Sequence, residues 1–245
     1  MRLNNSERLR NPLGLEKALN FFKLWTPESS YVFGILIADG CLTTRHGQFW
    51  DVSLELKDID HVKLVASVID PLLRVHSYTR KDGRTSAKFA MNIREIVNDC
   101  VSLGLHPRKS LDVEWPATLP TEYEADFVRG YFDGDGGITW SITRNSFGYA
   151  SKRRCLDFAC GSPNFAMKLG EVIQRNTGVE SNIRHLKNHS RPQYLSKDAI
   201  RAVGEWMYAA SPLRLERKYE KWQETLLPWE KTVMADVQQA QLQLL

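Results

Sequence analysis

The 245-residue sequence has few cysteines, and they show no pattern that binds a metal or builds a disulfide framework. Cys41, Cys100, Cys155 and Cys160 form no C-x-x-C pair and no zinc-ligand spacing with the six histidines. We therefore expect reduced thiols in an intracellular protein, located in the cytoplasm, the nucleoid or an organelle.

Long apolar runs are also missing. No run approaches the roughly 20 residues that cross a bilayer, and the N-terminus is polar and charged where a signal peptide needs an apolar region. These absences predict a protein that is neither membrane-bound nor secreted. The net charge of +4, with a pI near 8.8, is compatible with a polyanionic partner but does not require one.

One stretch of the sequence occurs twice, and the two copies align without gaps. The first reads Tyr31-Val-Phe-Gly-Ile-Leu-Ile-Ala-Asp-Gly40 and the second Phe127-Val-Arg-Gly-Tyr-Phe-Asp-Gly-Asp-Gly136. Asp39 aligns with Asp135, which lies 96 positions later (135 − 39). Matches at a fixed offset indicate a duplicated architecture.

Small residues recur four positions apart in each copy, which predicts closely packed helices. Gly34 and Ala38 lie on one face of the first helix, and Gly130 and Gly134 lie on one face of the second. Such faces allow two helix backbones to approach closely. We therefore expect these four residues to form the interface between two paired helices.

Each predicted helix carries an acid at its last position, where a carboxylate is unfavourable. We expect Gly40 and Gly136 to end the helices in the left-handed conformation. If the helices pair, Asp39 and Asp135 meet at the end that carries the partial negative charge of the helix dipoles. A divalent cation would remove this conflict, and oxygen ligands favour a hard ion such as Mg²⁺.

The two copies resemble the motif of the LAGLIDADG homing endonucleases, in the single-chain form with two motifs. The resemblance implies an α+β fold in which two αββαββα halves, related by a pseudo-twofold axis, pair their motif helices. Two antiparallel sheets would form a saddle over the major groove of double-stranded DNA. It also implies a monomeric, Mg²⁺-dependent endonuclease that makes a double-strand break. Asp39 and Asp135 would bind the metal together with the backbone of Gly40 and Gly136.

The order of predicted elements repeats, which divides the chain into two halves. We expect an N-terminal extension (1–28), a first half (29–110), a proline-containing linker (111–124), a second half (125–227) and a C-terminal tail (228–245).

Hydrophobic periodicity and turn residues predict the elements of each half. In the first half we expect a motif helix at 29–39 capped by residues 28–30, strands at 48–56, 72–79 and 85–93, and helices at 58–69 and 93–103. In the second half we expect a motif helix from residue 126, strands at 138–147, 149–160, 180–188 and 192–196, and helices at 163–176 and 198–209.

Each half ends in a lysine at a matched position. Lys109 and Lys218 are candidates for stabilising charge on the scissile phosphates, but residues that only contact the DNA backbone or the protein itself would fit the same pattern. Asp133 occupies the position of an earlier acid in the family's motif, which Ile37 replaces in the first copy. We interpret Asp133 as a structural acid.

One strand end differs from the family's pattern. Lys57 matches a basic position that is sometimes found near the family's active sites, and its counterpart in the second half is Gly161. Leu56 stands where the family often has a glutamine, and Glu55 is a candidate substitute. The identity of the group that would position the attacking water is therefore left open.

Basic residues cluster in the predicted hairpins. Lys and Arg neutralise phosphates or bind guanine through two hydrogen bonds. Hairpin tips are also charged simply because they are exposed, so the set, rather than any single residue, favours nucleic acid. The candidate DNA-binding residues are Arg45, His46, Arg80, Lys81, Arg84 and Lys88 in the first half and Arg144, Lys152, Arg153, Arg154, Arg184, Lys187 and Arg191 in the second.

Two binding functions are alternatives to the nuclease. The same scaffold could serve as a maturase that binds a host intron RNA, or as a DNA-binding regulator that does not cleave. The presence of both motif acids favours cleavage, and maturase activity could coexist with it.

Overall fold

The computed structural model of the protein describes residues 12–144, 150–209 and 212–227. Side chains are described for these residues apart from 12–14, 143–144 and 150. Residues 1–11 of the predicted N-terminal extension and the whole predicted C-terminal tail, 228–245, lie outside the described residues. The proposed domain boundaries stay predictions.

The first half begins with a short leading helix and the motif helix. Its elements are α1 (Pro12–Asn20), α2 (Pro27–Asp39), β1 (Gly40–Arg45), β2 (Gln48–Leu56), α3 (Ile59–Ile69), β3 (His76–Thr79), β4 (Thr85–Met91) and α4 (Arg94–Ser102). Two 3₁₀ turns, Lys109–Leu111 and Thr121–Tyr123, then lead into the second half.

The second half repeats this order and adds a terminal helix. Its elements are α5 (Glu124–Asp135), β5 (Gly136–Arg144), β6 (Ala150–Phe158), α6 (Pro163–Thr177), β7 (Asn182–His185), β8 (Ser190–Tyr194), α7 (Lys197–Tyr208) and α8 (Glu216–Leu226). Helix α8 was not predicted, because the sequence comparison extended only to the lysine near its start.

Two four-stranded antiparallel sheets have the same strand order. The first is β1-β2-β4-β3 and the second is β5-β6-β8-β7. In each, the strand that follows a motif helix pairs with the next strand along the chain, Gly40 lying opposite Leu54 and Gly136 opposite Phe158. The matched topology confirms the predicted α+β fold with duplicated halves.

The core lies between the sheets and the paired motif helices. Because side chains alternate along a strand, one face of each sheet is apolar and the other faces solvent. Val52 and Leu54 of β2 and Leu156 and Phe158 of β6 are fully buried on the helix side. Glu55 and Asp157 lie on the opposite faces and are partly exposed, so a large partner could reach them, whereas Ser53 is buried.

The motif helix α2 begins two residues earlier than predicted. Its N-cap is Thr26, whose side chain accepts a hydrogen bond from the backbone N–H of Ser29, and the Ser29 hydroxyl accepts from the N–H of Thr26. Pro27 occupies the first turn, where its missing N–H costs nothing. The prediction placed the cap at 28–30 because it treated Pro27 only as the end of the preceding segment.

The prediction of left-handed glycines after the motif helices is wrong. Gly40 (φ −69°, ψ 150°) and Gly136 (φ −81°, ψ 156°) are extended and begin the next strand directly. Close packing is what demands glycine there. A Cβ at Gly40 would overlap the Leu36 backbone, and one at Gly136 would overlap Phe132.

Several strand and helix ends also differ from prediction. β3 begins at His76 rather than at residue 72, and α5 begins at Glu124 rather than at 126. The predicted strand ends at 145–147 and at 149 fall within 145–149, outside the described residues. None of the helices in the described part of the chain has both the length and the apolar character to cross a bilayer.

Candidate active site at the paired helix ends

The two motif helices contact each other through their backbones. A Cβ at Gly34 would overlap the carbonyl oxygen of Phe127, and one at Gly130 would overlap that of Tyr31. One at Gly134 would overlap the Ala38 Cβ and lie 3.0 Å from Asp39 Oδ2. The four small residues therefore lie at the α2–α5 contact, and Asp39 comes close to the end of α5.

Asp39 and Asp135 form a carboxylate pair at the C-terminal ends of these helices. Burial raises the pKa of Asp39, although its carboxyl remains accessible to solvent, and the charges of Lys218 and Lys109 oppose the rise. Burial and then the charge of Asp39 raise the pKa of Asp135 to about 6. Each carboxylate is thus within electrostatic range of the other and of both lysines.

Two buried lysines bind the carbonyl groups at the ends of the motif helices. Lys218 Nζ donates to the carbonyl oxygens of Phe132 (2.7 Å), Gly134 (2.9 Å) and Gly136 (2.7 Å). Lys109 Nζ donates to the carbonyl oxygen of Gly40. Each of the two residues is only 7% exposed. The two lysines therefore occupy equivalent places in the two halves.

The two lysines offset part of the unfavourable electrostatics predicted from the sequence, in which two acids lie at the negative ends of the helix dipoles. A cation at a helix C-terminus is stabilising by roughly 0.3–1 kcal/mol, and by up to about 2 kcal/mol when partly buried. Burial lowers the pKa of Lys109 and lowers that of Lys218 to about 8, while the neighbouring acids oppose the change. The structure brings all four predicted catalytic side chains into one cluster.

Asp133 lies behind this cluster in a buried hydrogen-bond network. Its Oδ2 accepts from the Tyr31 hydroxyl (2.6 Å) and from the backbone N–H of Leu215 (2.7 Å). The Tyr31 hydroxyl also lies 2.8 Å from His61 Nε2. Burial raises the pKa of Asp133 to about 6 and lowers that of His61 to about 4. Asp133 thus joins α5 to the start of α8, as a structural acid would.

The donor set suits a hard cation. Asp39 and Asp135 supply carboxylate oxygens, and the described residues contain no group of three or more His, Cys, Asp or Glu side chains that could hold a metal. Oxygen-only sites with few protein ligands are typical of Mg²⁺, which keeps several waters. The carbonyl oxygens of Gly40 and Gly136, predicted as further ligands, accept hydrogen bonds from the lysines. The two carboxylates therefore fit a divalent cation better than the carbonyl groups do.

The residues at the end of β2 take different roles. Lys57 is exposed. The Glu55 carboxylate accepts hydrogen bonds from the Tyr78 hydroxyl and from Arg80 Nη2, the latter at 2.6 Å. These bonds lower the pKa of Glu55, led by the one from Tyr78. Glu55 is thus an ionised group held by two neighbours.

The solvent-facing side of the first sheet carries part of the predicted basic set. Lys88 lies opposite Glu55 in the strand register, and Arg80 pairs with Glu55. Arg84 pairs with Asp82 in the hairpin turn at 2.6 Å. Three further candidates lie at strand ends or turns: Arg45, whose guanidinium lies 4.9 Å from the centroid of the Trp50 ring, His46 and Lys81.

The second sheet separates its basic residues between two faces. Arg184 lies opposite Arg191 in the register, and Arg191 Nη1 donates to Asp157 at 3.0 Å. Arg153 shares this solvent-facing side, and Lys187 lies in the turn between β7 and β8. The side chain of Arg144 lies outside the described residues.

Lys152 and Arg154 lie on the helix-facing side of the second sheet. Arg154 Nε donates to the Thr225 carbonyl oxygen at 2.7 Å and Lys152 Nζ to that of Glu224 at 3.4 Å, both at the C-terminal end of α8. The structure therefore does not bring these two residues to the surface that carries Arg153. The sequence could not reveal this, because α8 was not predicted.

The strand register shows a matched pair of basic residues that the repeat offset alone did not reveal. Lys88 in β4 and Arg191 in β8 occupy equivalent positions, because Val52 pairs with Met91 and its counterpart Leu156 pairs with Tyr194. Sequence analysis also missed Gln193, which lies opposite Asp157. Alternation along β8 could have placed it beside Arg191.

Comparisons with known proteins agree with this architecture. Residues 122–206 match the family model described as a LAGLIDADG-like domain. Among solved structures, I-SmaMI bound to uncleaved DNA target in the presence of calcium ions is 12% identical, covers 82% of this chain and 90% of that chain, and has a TM-score of 0.57. The LAGLIDADG meganuclease I-CpaMI bound to uncleaved DNA is 11% identical, with 83% and 91% covered and a TM-score of 0.57.

A third structure extends the likeness, the I-LtrWI LAGLIDADG homing endonuclease bound to target DNA. It is 13% identical, with 85% of this chain and 90% of that chain covered and a TM-score of 0.54. No curated protein matches the sequence significantly. The chain has the two-motif LAGLIDADG fold, and its second half contains a LAGLIDADG-like domain. The resemblance that the two motifs predicted is confirmed.

Proposed function

We propose that the protein is a site-specific DNA endonuclease that binds double-stranded DNA across its two sheets and cuts both strands at the paired helix ends. The observation that carries this proposal is the cluster of Asp39, Asp135, Lys109 and Lys218, in which two acids and two lysines come from equivalent positions of the two halves. Each half then supplies one acid and one lysine for one strand. The DNA-bound structures of I-SmaMI, I-CpaMI and I-LtrWI support DNA as the partner.

The side chains of the cluster have distinct roles in this proposal. Asp39 and Asp135 hold the divalent cation, which we propose to be Mg²⁺. A cation bound there would supply Lewis-acid catalysis for phosphodiester hydrolysis. Lys109 and Lys218 place positive charge near the scissile phosphates and stabilise the charge that develops during hydrolysis.

The solvent-facing sides of the sheets supply recognition. Lys88 and Arg191 lie close to Gly40 and Gly136, the first residues of the strands that follow the two acids. They would therefore contact DNA near the cleavage positions. A two-stranded ribbon fits the major groove, where base edges can be told apart. Arg153 and Arg184 lie further along the second sheet and would contact bases or phosphates towards one end of the target.

Cleavage of host genomic DNA, with breaks mapped by sequencing of ends, tests the proposal. We expect one dominant break site in Mg²⁺, binding without cleavage in Ca²⁺, and no cleavage in EDTA. The Asp39→Asn/Asp135→Asn double variant should bind the same site without cutting it. Mg²⁺ should also raise the Tm of the wild type but not that of the double variant, which reports cation binding without activity.

Other results would decide against the nuclease. Specific binding with no cleavage in Mg²⁺ would instead make the protein a non-cleaving DNA-binding regulator, in which the lysine bonds to Gly40 and Gly136 would have a structural role only. Equal cleavage by the double variant would remove the two acids from the mechanism. Binding to an intron RNA in place of DNA would indicate a maturase.

A further inference from the structure

The segment that carries Lys218 is tied to the opposite half of the molecule. Its neighbour Arg217 donates to Asp58 through Nε at 2.7 Å and through Nη2 at 2.8 Å, although the two residues are 159 positions apart. Asp58 belongs to the first half and precedes α3 directly. A guanidinium that binds both oxygens of a carboxylate fixes geometry as well as charge.

The segment that carries Lys109 is tied to the second half by a different contact. The backbone of its neighbour Ser110 lies against Gly161, and a Cβ at Gly161 would overlap the Ser110 carbonyl oxygen. Gly161 follows β6 and is the counterpart of Lys57, the residue before Asp58. The two contacts therefore lie in corresponding regions of the two halves, one made by an ion pair and the other by backbone packing.

The start of α8 is held by contacts to both halves of the molecule. Glu216 is the first residue of α8, so Lys218 lies within its first turn. Leu215 N–H donates to Asp133 and the Tyr219 ring lies 4.9 Å from that of Tyr208, both contacts within the second half, whereas the Arg217–Asp58 pair reaches the first half. Because Lys218 Nζ must reach three carbonyl oxygens at once, a small shift of this turn would break some of its hydrogen bonds.

We propose that Asp58 and Arg217 are positioning residues that hold Lys218 beside Asp135, and that Gly161 in the same way holds Lys109 beside Asp39. Each reaction centre is thus set by a contact from the opposite half. The proposal rests on the nuclease function proposed above. It requires that loss of one contact slows the cutting of one DNA strand more than the other.

Strand-resolved cleavage of a supercoiled plasmid with the mapped target tests this coupling. Asp58→Asn and Arg217→Gln should slow the strand served by Asp135 about tenfold relative to the other strand and accumulate nicked plasmid. Gly161→Ala should bias cutting the other way. Asp198→Asn, which removes the exposed pair with Arg201, is the matched control and should leave the ratio unchanged.

Reversing the charges of the Asp58–Arg217 pair distinguishes a positioning role from a general loss of folding or activity. Asp58→Arg combined with Arg217→Asp should restore the strand ratio towards that of the wild type, whereas either reversal alone should not. Equal loss on both strands, or the same bias from Asp58→Asn and Gly161→Ala, would overturn the proposal.

Hydrogen exchange in the free protein gives a readout that does not depend on cleavage. Asp58→Asn should speed exchange at 215–220 and leave 109–111 unchanged, while Gly161→Ala should do the opposite. Unchanged exchange at 215–220 would contradict the positioning role even in an active enzyme. If the variants show the expected exchange pattern but the wild type does not cut DNA, the positioning role of the contacts stands and only the nuclease function is rejected.

Discussion

At the scale of single residues, burial makes ionisation of the two acids of the cluster unfavourable. The rise of the Asp135 pKa to about 6 means that ionising this carboxyl costs more free energy in the folded protein than in the unfolded chain. A rise of roughly two pKa units corresponds to about 3 kcal/mol at full burial, and to about 1–2 kcal/mol after discounting for solvent screening of this partly exposed group. This cost is what a bound cation would offset.

Replacing this carboxylate should therefore stabilise the metal-free protein. In EDTA at pH 7, Asp135→Asn should raise the free energy of unfolding by about 1–2 kcal/mol. Because the folded pKa is raised, the advantage of the variant should be absent below about pH 4 and should grow as pH rises to about 6. Urea unfolding at a series of pH values measures it, and a variant that is less stable than the wild type at pH 7 would contradict the account.

Burial has the opposite consequence at His61, whose pKa is lowered to about 4. The folded state holds this imidazole neutral, so its contribution is present above about pH 6.5 and is lost as pH falls towards 4. The loss amounts to about 3 kcal/mol for a shift of between two and three pKa units.

His61→Gln keeps a side chain that can bond to the Tyr31 hydroxyl but cannot be protonated. We expect the wild type to lose stability relative to this variant between pH 6.5 and 4, and calorimetric unfolding across that range checks it. Parallel stability curves for the two proteins would show that His61 is not held neutral.

At the scale of elements, the contact between α2 and α5 determines where the acids lie. Gly34 and Gly130 each face the other helix's backbone with no room for a Cβ. An added methyl group must push the helices apart, which moves Asp39 away from Asp135. Stability and activity should therefore fall together at these positions.

Gly34→Ala should lower the free energy of unfolding by about 3 kcal/mol through overpacking. Gly178→Ala is the control, since that position has a positive φ and open space, and it should cost only about 1 kcal/mol. Equilibrium urea denaturation compares the two. Equal costs would mean that the helices do not pack as closely as described.

The elements differ in how far the sequence could predict them. The spacing of Gly34, Ala38, Gly130 and Gly134 was sufficient to pair the helices, because close packing leaves a direct mark on residue size. The end of α2 at Gly40 was misinterpreted because glycine signals both a left-handed turn and a close approach. Helix α8 left no signal in the repeat, since only its first turn has a counterpart in the first half.

At the scale of the whole molecule, the duplication let the sequence predict the fold and the central acids. The distribution of basic residues between the two faces of a sheet could not be predicted, because it depends on strand register and on which element covers each face. Arg154 illustrates this, since its partner Thr225 lies 71 positions away in an unpredicted helix. The contact between Asp58 and Arg217 was hidden for the same reason.

The most direct test of the account is the product made by each single-acid variant on the mapped target. Asp39→Asn and Asp135→Asn should each leave one strand cut and the other intact, and the intact strand should differ between the two variants. Strand-specific end labels resolve the products on a denaturing gel. If either variant cuts both strands at the wild-type rate, or if both leave the same strand intact, the assignment of one acid to each strand is wrong.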